Sequence, residues 1–193
     1  STLKVDGRVE GETSEFLKFI TQSPVAARID HFTDAMSAKG KGHLDIGLVI
    51  PLEEARLGDS KIDGNYNFLA NEVTVDPALP PLRQVTGRLQ FSAKDLRVPE
   101  IKATLFGGPI KIKGGAEDGK VQVKVDGSLA VDDLRRNVTL PMLDSVSGST
   151  AYRAVIGVSK RKVELVVDSD LVGIAFNLPA PFAKSTSAAM PLH

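Results

Sequence analysis

Aliphatic and polar residues alternate along most of this chain, and the alternation is clearest between Val85 and Gly115. There Val85, Leu89 and Phe91, then Ile101, Ala103 and Leu105, then Ile110 and Ile112 are separated by Arg88, Gln90, Lys102, Thr104, Lys111 and Lys113. A period of two belongs to strands with one dry face and one wet face. Asp95 and Pro99 flank the first interruption and Gly107-Gly108-Pro109 forms the second, so the three runs predict an antiparallel meander.

The same period recurs on both sides. Leu3 to Val9 alternates around Gly7; Leu44, Ile46, Leu48 and Ile50 form a strand ended by Pro51; Ile62 to Phe68 and Asn71 to Val75 predict a hairpin. Val121, Val123, Val125 and Leu129 follow the turn pair Asp118-Gly119. Thr150 to Val158, Val163 to Asp168 and Gly173 to Leu178 predict three closing strands, and residues 179–193 an extended, Pro-containing tail. A helical period is confined to residues 13–36. One helix has Thr13 or Ser14 as N-cap and Phe16, Leu17 and Ile20 on one side. A second starts at Ser23-Pro24, with Val25, Ile29, Phe32 and Met36 as its stripe. Val131 to Arg136 predicts one helical turn, opened by Asp132-Asp133, and Leu140 to Ser147 an irregular connection.

A small motif, aliphatic-x-Gly-x-apolar, appears around Gly7, Gly64, Gly87 and Gly127, with a degraded copy at Gly148. Glycine inside a strand marks a bulge, a bend or a close approach. The expected fold is therefore mainly β with minor α. It is a highly twisted antiparallel sheet forming a half-open groove, with two short N-terminal helices, in one unit spanning 1–193.

Composition narrows the function classes. The 193 residues contain 24 basic and 24 acidic side chains, so no net charge draws the chain to nucleic acid. Trp is absent and aromatics make up 5%, which removes the stacking platforms of single-strand binders. No Cys is present, so disulfides and thiolate metal sites are excluded. No apolar run is long enough to span a bilayer as a helix, and the chain opens directly in strand-like sequence, as a piece of a larger protein does.

Residues suited to chemistry do not converge by spacing. His31, His43 and His193 lie in no metal-ligand pattern, no G-x-S-x-G elbow exists, and the glycine pairs at 107–108 and 114–115 precede strands rather than the helix N-terminus that a phosphate loop needs. Asp168 and Asp170 bracket a turn. Lys160-Arg161-Lys162 reads as a solvated hairpin turn or as a contact to an anionic headgroup or partner. The chain is thus expected to be no enzyme and to use no cofactor or metal.

What remains is the dry face. Its candidate lining residues are Leu44, Ile46 and Leu48 early in the chain. Leu89, Phe91, Leu105, Ile112, Val123 and Val125 come from its centre, and Leu165, Val167, Ile174 and Phe176 from its end. The set is mostly aliphatic, which suits protein packing or alkyl chains equally. Burying a sixteen-carbon tail is worth on the order of 13 kcal/mol gross, without one polar contact.

The tail Ser169-Asp170-Leu171-Val172-Gly173-Ile174-Ala175-Phe176-Asn177-Leu178-Pro179-Ala180-Pro181-Phe182-Ala183-Lys184, ending in Met190-Pro191-Leu192, resembles the C-terminal signature of YhdP-type proteins. These belong to the AsmA-like, TamB-related group of Gram-negative envelope proteins. Ser23-Pro24-Val25, Val49-Ile50-Pro51-Leu52 and Leu105-Phe106-Gly107-Gly108-Pro109 are similar to that family too. The resemblance implies a C-terminal fragment of a long β-groove, in a periplasmic protein anchored in the inner membrane by a segment absent here. It implies phospholipid acyl chains as cargo, passed between inner and outer membranes. It further implies neighbouring β-groove segments of the full-length chain and other envelope proteins as partners. No motif position carries over as catalytic. The competing expectation is a structural or interaction module of the envelope, whose core is filled by its own side chains.

Overall fold

A computed structural model describes residues 2–23, 26, 31, 33–52, 61–77, 79–92, 95–117, 120–159 and 162–193. Among these, the strands are β1 (Thr2–Glu12), β2 (Ser37–Lys39), β3 (Lys41–Pro51), β4 (Lys61–Thr74), β5 (Leu82–Ser92) and β6 (Asp95–Leu105). They continue with β7 (Gly108–Glu117), β8 (Lys120–Ala130), β9 (Val146–Ser159), β10 (Lys162–Asp168) and β11 (Ile174–Phe176). Helix α1 covers Thr13–Gln22 and α2 covers Val131–Asn137, with a 3-10 turn at Pro141–Ser145.

All pairing is antiparallel, in the order β1-β3-β4-β5-β6-β7-β8-β9-β10, with β2 added beside β4 and β11 beside β9. β1 and β10 are the two ends of this path and do not pair, so the sheet is open. The stretch from Val85 to Gly115 forms β5, β6 and β7, the meander that its period predicts.

The aliphatic side chains stay on one face because three strands shift phase. β4 carries Ile62, Tyr66 and Phe68 at even positions and Val73 at an odd one, and its register slips between Leu69 and Asn71, where Ala70 takes φ +55°. The hairpin expected between Phe68 and Asn71 is therefore one continuous strand with a bulge. β6 slips between Val98 and Ile101, next to Pro99, so Pro99 lies inside a strand rather than at a break. A bulge adds one residue and returns the following apolar positions to the dry face. β5 is irregular at two places.

The wet face carries cross-strand pairs: Arg8 with Asp45 (2.5 Å), Arg153 with Asp126 (3.1 Å) and Lys113 with Glu100 (3.2 Å). Pairs this exposed contribute roughly 0–1 kcal/mol each and fix orientation more than stability. The last connection is tied down differently. Arg135 of α2 donates to the carbonyls of Leu143 and Val146, so the connection expected to be irregular is held by a helix, a 3-10 turn and a shared guanidinium. Of the second expected helix only Ser23, Ala26, His31 and residues 33–36 are described; Val25, Ile29 and Phe32 lie outside the described residues, as do Asp118-Gly119 and the first two positions of Lys160-Arg161-Lys162.

Candidate functional site: an aliphatic trough

Helix α1 lies on the dry face of the sheet. Phe16 stacks on Tyr66 with ring centroids 3.9 Å apart and planes within 9°, and it meets Phe91 at 5.9 Å. Phe16, Ile20, Tyr66, Phe91, Ala116 and Val121 form one buried cluster. The start of the helix is fixed by a polar knot. Thr13 is the first helical residue rather than a cap. Its hydroxyl meets Tyr66 Oη at 2.7 Å and accepts from Asn71 Nδ2 at 2.7 Å. Asn71 also donates to the carbonyls of Lys39 (3.2 Å) and Lys41 (3.0 Å), and its own Oδ1 accepts from the Leu69 N–H (2.7 Å). These contacts span the bend at Gly40 (φ +102°), where β2 turns into β3.

Burial raises the Tyr66 phenol above its ordinary value, with the Thr13 bond pulling the other way. Tyr152 is raised by burial as well.

Beside this cluster is a second one, built on Val73, Val85, Val98, Ile101, Ala103, Ile110, Val125 and Ala154. Between α1, the 33–36 turn and the sheet runs a cavity of about 280 Å³. Its wall comprises Phe16, Leu17 and Ile20 of α1, Thr33 and Met36 of the turn, Val75, Leu79 and Pro80 after β4, and inward residues of β4 to β9. Among the described residues, Thr33 is the one wall residue with a polar side chain. Such a wall repels ions and water and accepts hydrocarbon.

The candidate residues distribute as follows. Leu89, Leu105, Ile112, Val123 and Val125 border the cavity. Phe91 is buried beneath Phe16, and Leu44 packs against the same cluster. Ile46 and Leu48 are half-buried on β3, beyond the cavity. Val167 packs against the second cluster, while Leu165 on the terminal strand is 61% exposed. Ile174 is buried and Phe176 half-buried on β11, beside the first residues of β9 and outside the cavity.

Several wall residues were not among the candidate lining residues: Ile101 and Ile110, although both were read as dry-face positions, and Leu96, Val98 and Ile156. Thr33 carried no signal at all. Elsewhere, His31, His43 and His193 each face one carboxylate, Asp34, Glu10 and Asp168 respectively. Among the described residues no three His, Asp or Glu side chains gather as a metal site would require.

An open antiparallel sheet with an apolar trough on one face and a helix laid into it defines a hydrophobic-groove domain. Within that class the chain belongs to the YhdP family, described as "YhdP protein", whose profile matches residues 1–193. It is similar to the "Intermembrane phospholipid transporter YhdP" of Escherichia coli (strain K12), at 22% identity over 193 residues covering 94% of this chain. The chain spans about 15% of that relative's length. No solved structure matches it. None of the described helices is long and apolar enough to cross a membrane.

Proposed function

We propose that this chain is a non-enzymatic segment of a periplasmic groove that shields phospholipid acyl chains as they pass between inner and outer membranes. The observation that carries the reading is the cavity of about 280 Å³, walled by apolar side chains apart from Thr33, on a sheet that never closes. A volume of that size accommodates roughly nine methylenes at about 30 Å³ each, the share of a water molecule. At about 0.8 kcal/mol per methylene, their burial is worth roughly 7 kcal/mol gross. The headgroup needs no contact and stays outside, which explains why no polar motif marks the site. The similarity to an intermembrane phospholipid transporter supports the choice of cargo. Neighbouring segments of a longer chain continue the groove, and other envelope proteins are its remaining partners.

The test uses a phospholipid with a photoreactive acyl chain. Leu89→Asp with Val123→Asp places two carboxylates in the cavity wall and should abolish crosslinking while the circular dichroism of the sheet persists. Undiminished crosslinking would show that these positions do not line a lipid path.

A second reading has its own observation. Phe16 and Ile20 already fill part of the trough, as in a structural or interaction module with a self-filled core. Native mass spectrometry separates the two: co-purified phospholipid supports carriage, and a clean apo mass supports the module.

A further inference from the structure

Thr33 lines the cavity and is itself 8% exposed, and its Oγ1 has no hydrogen-bond partner among the described residues. Among the described residues it is the only buried side-chain nitrogen or oxygen left in that state. The other buried polar side chains are spoken for: Thr13 and Asn71 bond to each other, and Thr150 to the Ala151 carbonyl and Ser169. The turn that holds Thr33 is ordered by its own backbone, through Met36 N–H donating to the Thr33 carbonyl at 3.0 Å, so the side chain is not needed to close it. Met36 packs against the second cluster and sets the turn over the cavity. A hydroxyl withdrawn from water without a partner is unfavourable, and an apolar side chain of the same shape would fit this wall better.

On the reading that the trough carries acyl chains, we infer that Thr33 is a ligand-binding residue whose hydroxyl donates a hydrogen bond to the ester carbonyl of an acyl chain in the cavity. The wall is otherwise blind to polarity, so it holds an alkyl segment at any depth. One donor at a fixed place gives the chain a preferred depth, with its first methylenes beside the turn and the remainder along β5 to β8. A hydroxyl is a neutral donor, so the bond is modest, and the chain is paused without being trapped. The ligand class is therefore an acyl ester, rather than any hydrocarbon of equal length.

The test compares two phosphatidylethanolamines with the same chain length, one ester-linked and one ether-linked, the latter lacking both acyl carbonyls. Each is presented in vesicles to the purified chain, and the lipid retained after separation is measured by mass spectrometry. Wild type should retain the ester lipid about three- to tenfold better than the ether lipid, the range expected of one neutral hydrogen bond. Thr33→Val should bring that ratio near one while melting at or above the wild-type temperature, and Thr33→Ser should restore the ratio. A wild-type ratio near one, or a Thr33→Val ratio equal to the wild type's, would overturn the assignment while leaving lipid carriage standing. Retention of neither lipid by the wild type would overturn carriage itself and this inference with it.

Discussion

Asn71 Nδ2 lies 2.7 Å from Thr13 Oγ1, a bond across 58 positions of sequence that joins the bulged end of β4 to the first turn of α1. The same amide satisfies the carbonyls on both sides of the Gly40 bend. Asn71→Ala would leave two carbonyls and the Thr13 hydroxyl short of a donor in a buried place. A loss of about 2–4 kcal/mol is expected in denaturant unfolding, well above the roughly 1 kcal/mol expected of Tyr66→Phe, which removes one bond and keeps the ring stack.

Two glycines of the recurring motif make opposite predictions. A Cβ at Gly127 would lie 2.7–2.9 Å from Tyr152 Cζ and Oη and from Ile110 Cγ2, all side-chain atoms. Gly127→Ala should cost about 1–3 kcal/mol, and Tyr152→Leu in the same chain should recover much of it. At Gly64 the Cβ would meet the Phe91 ring at 2.5 Å and also the Asp45 carbonyl at 2.8 Å, which cannot move aside. Gly64→Ala should therefore stay destabilised when Phe91→Leu is added. Thermal melts of the four variants and the two single aromatic replacements decide both cases.

Tyr66 and Tyr152 are the chain's only tyrosines, and burial raises both phenols above their ordinary value. Well below pH 10 both are neutral whether the chain is folded or not, and they give stability no pH dependence. As pH rises past 10 the unfolded chain releases these protons first, so stability falls until the folded phenols ionise too. A tyrosinate absorbance titration should show the native midpoint above the midpoint in denaturant, and the denaturant midpoint concentration should drop across the same interval.

Lys184 closes the Leu178-Pro179-Ala180-Pro181 segment by donating to the carbonyls of Leu171 (2.7 Å) and Ile174 (2.8 Å). Lys184→Met would keep the stem and remove the donors. Amide exchange at Gly173 and Met190, which bond to Thr186 and Asp170, should quicken about tenfold, corresponding to about 1.4 kcal/mol, while the β5–β8 amides stay protected.

Most of the sheet was legible because alternation is a local signal. The limit shows at Ala70 and Pro99. A phase change in a period-two run looks identical whether the chain reverses or bulges, and only the register of the neighbouring strand distinguishes them. The trough wall was legible where a strand keeps its phase, as at Leu89, Ile112, Val123 and Val125. Ile46, Leu165 and Ile174 carry the same signal yet lie away from the cavity, because alternation gives a face and not a position along it. The bond between Thr13 and Asn71 was silent, since a contact between residues so far apart leaves no trace in either one's neighbourhood. At Gly64 and Gly127 the recurring motif leaves room for a ring from the next strand, whereas at Gly87 and Gly148 it admits a close backbone approach.

A barrel must reconcile its number of strands with a fixed shear before it can seal. Because β1 and β10 never meet, this architecture is free of that arithmetic. Its capacity can change by whole hairpins without refitting a residue already in place, so length becomes a quantity that evolution can adjust.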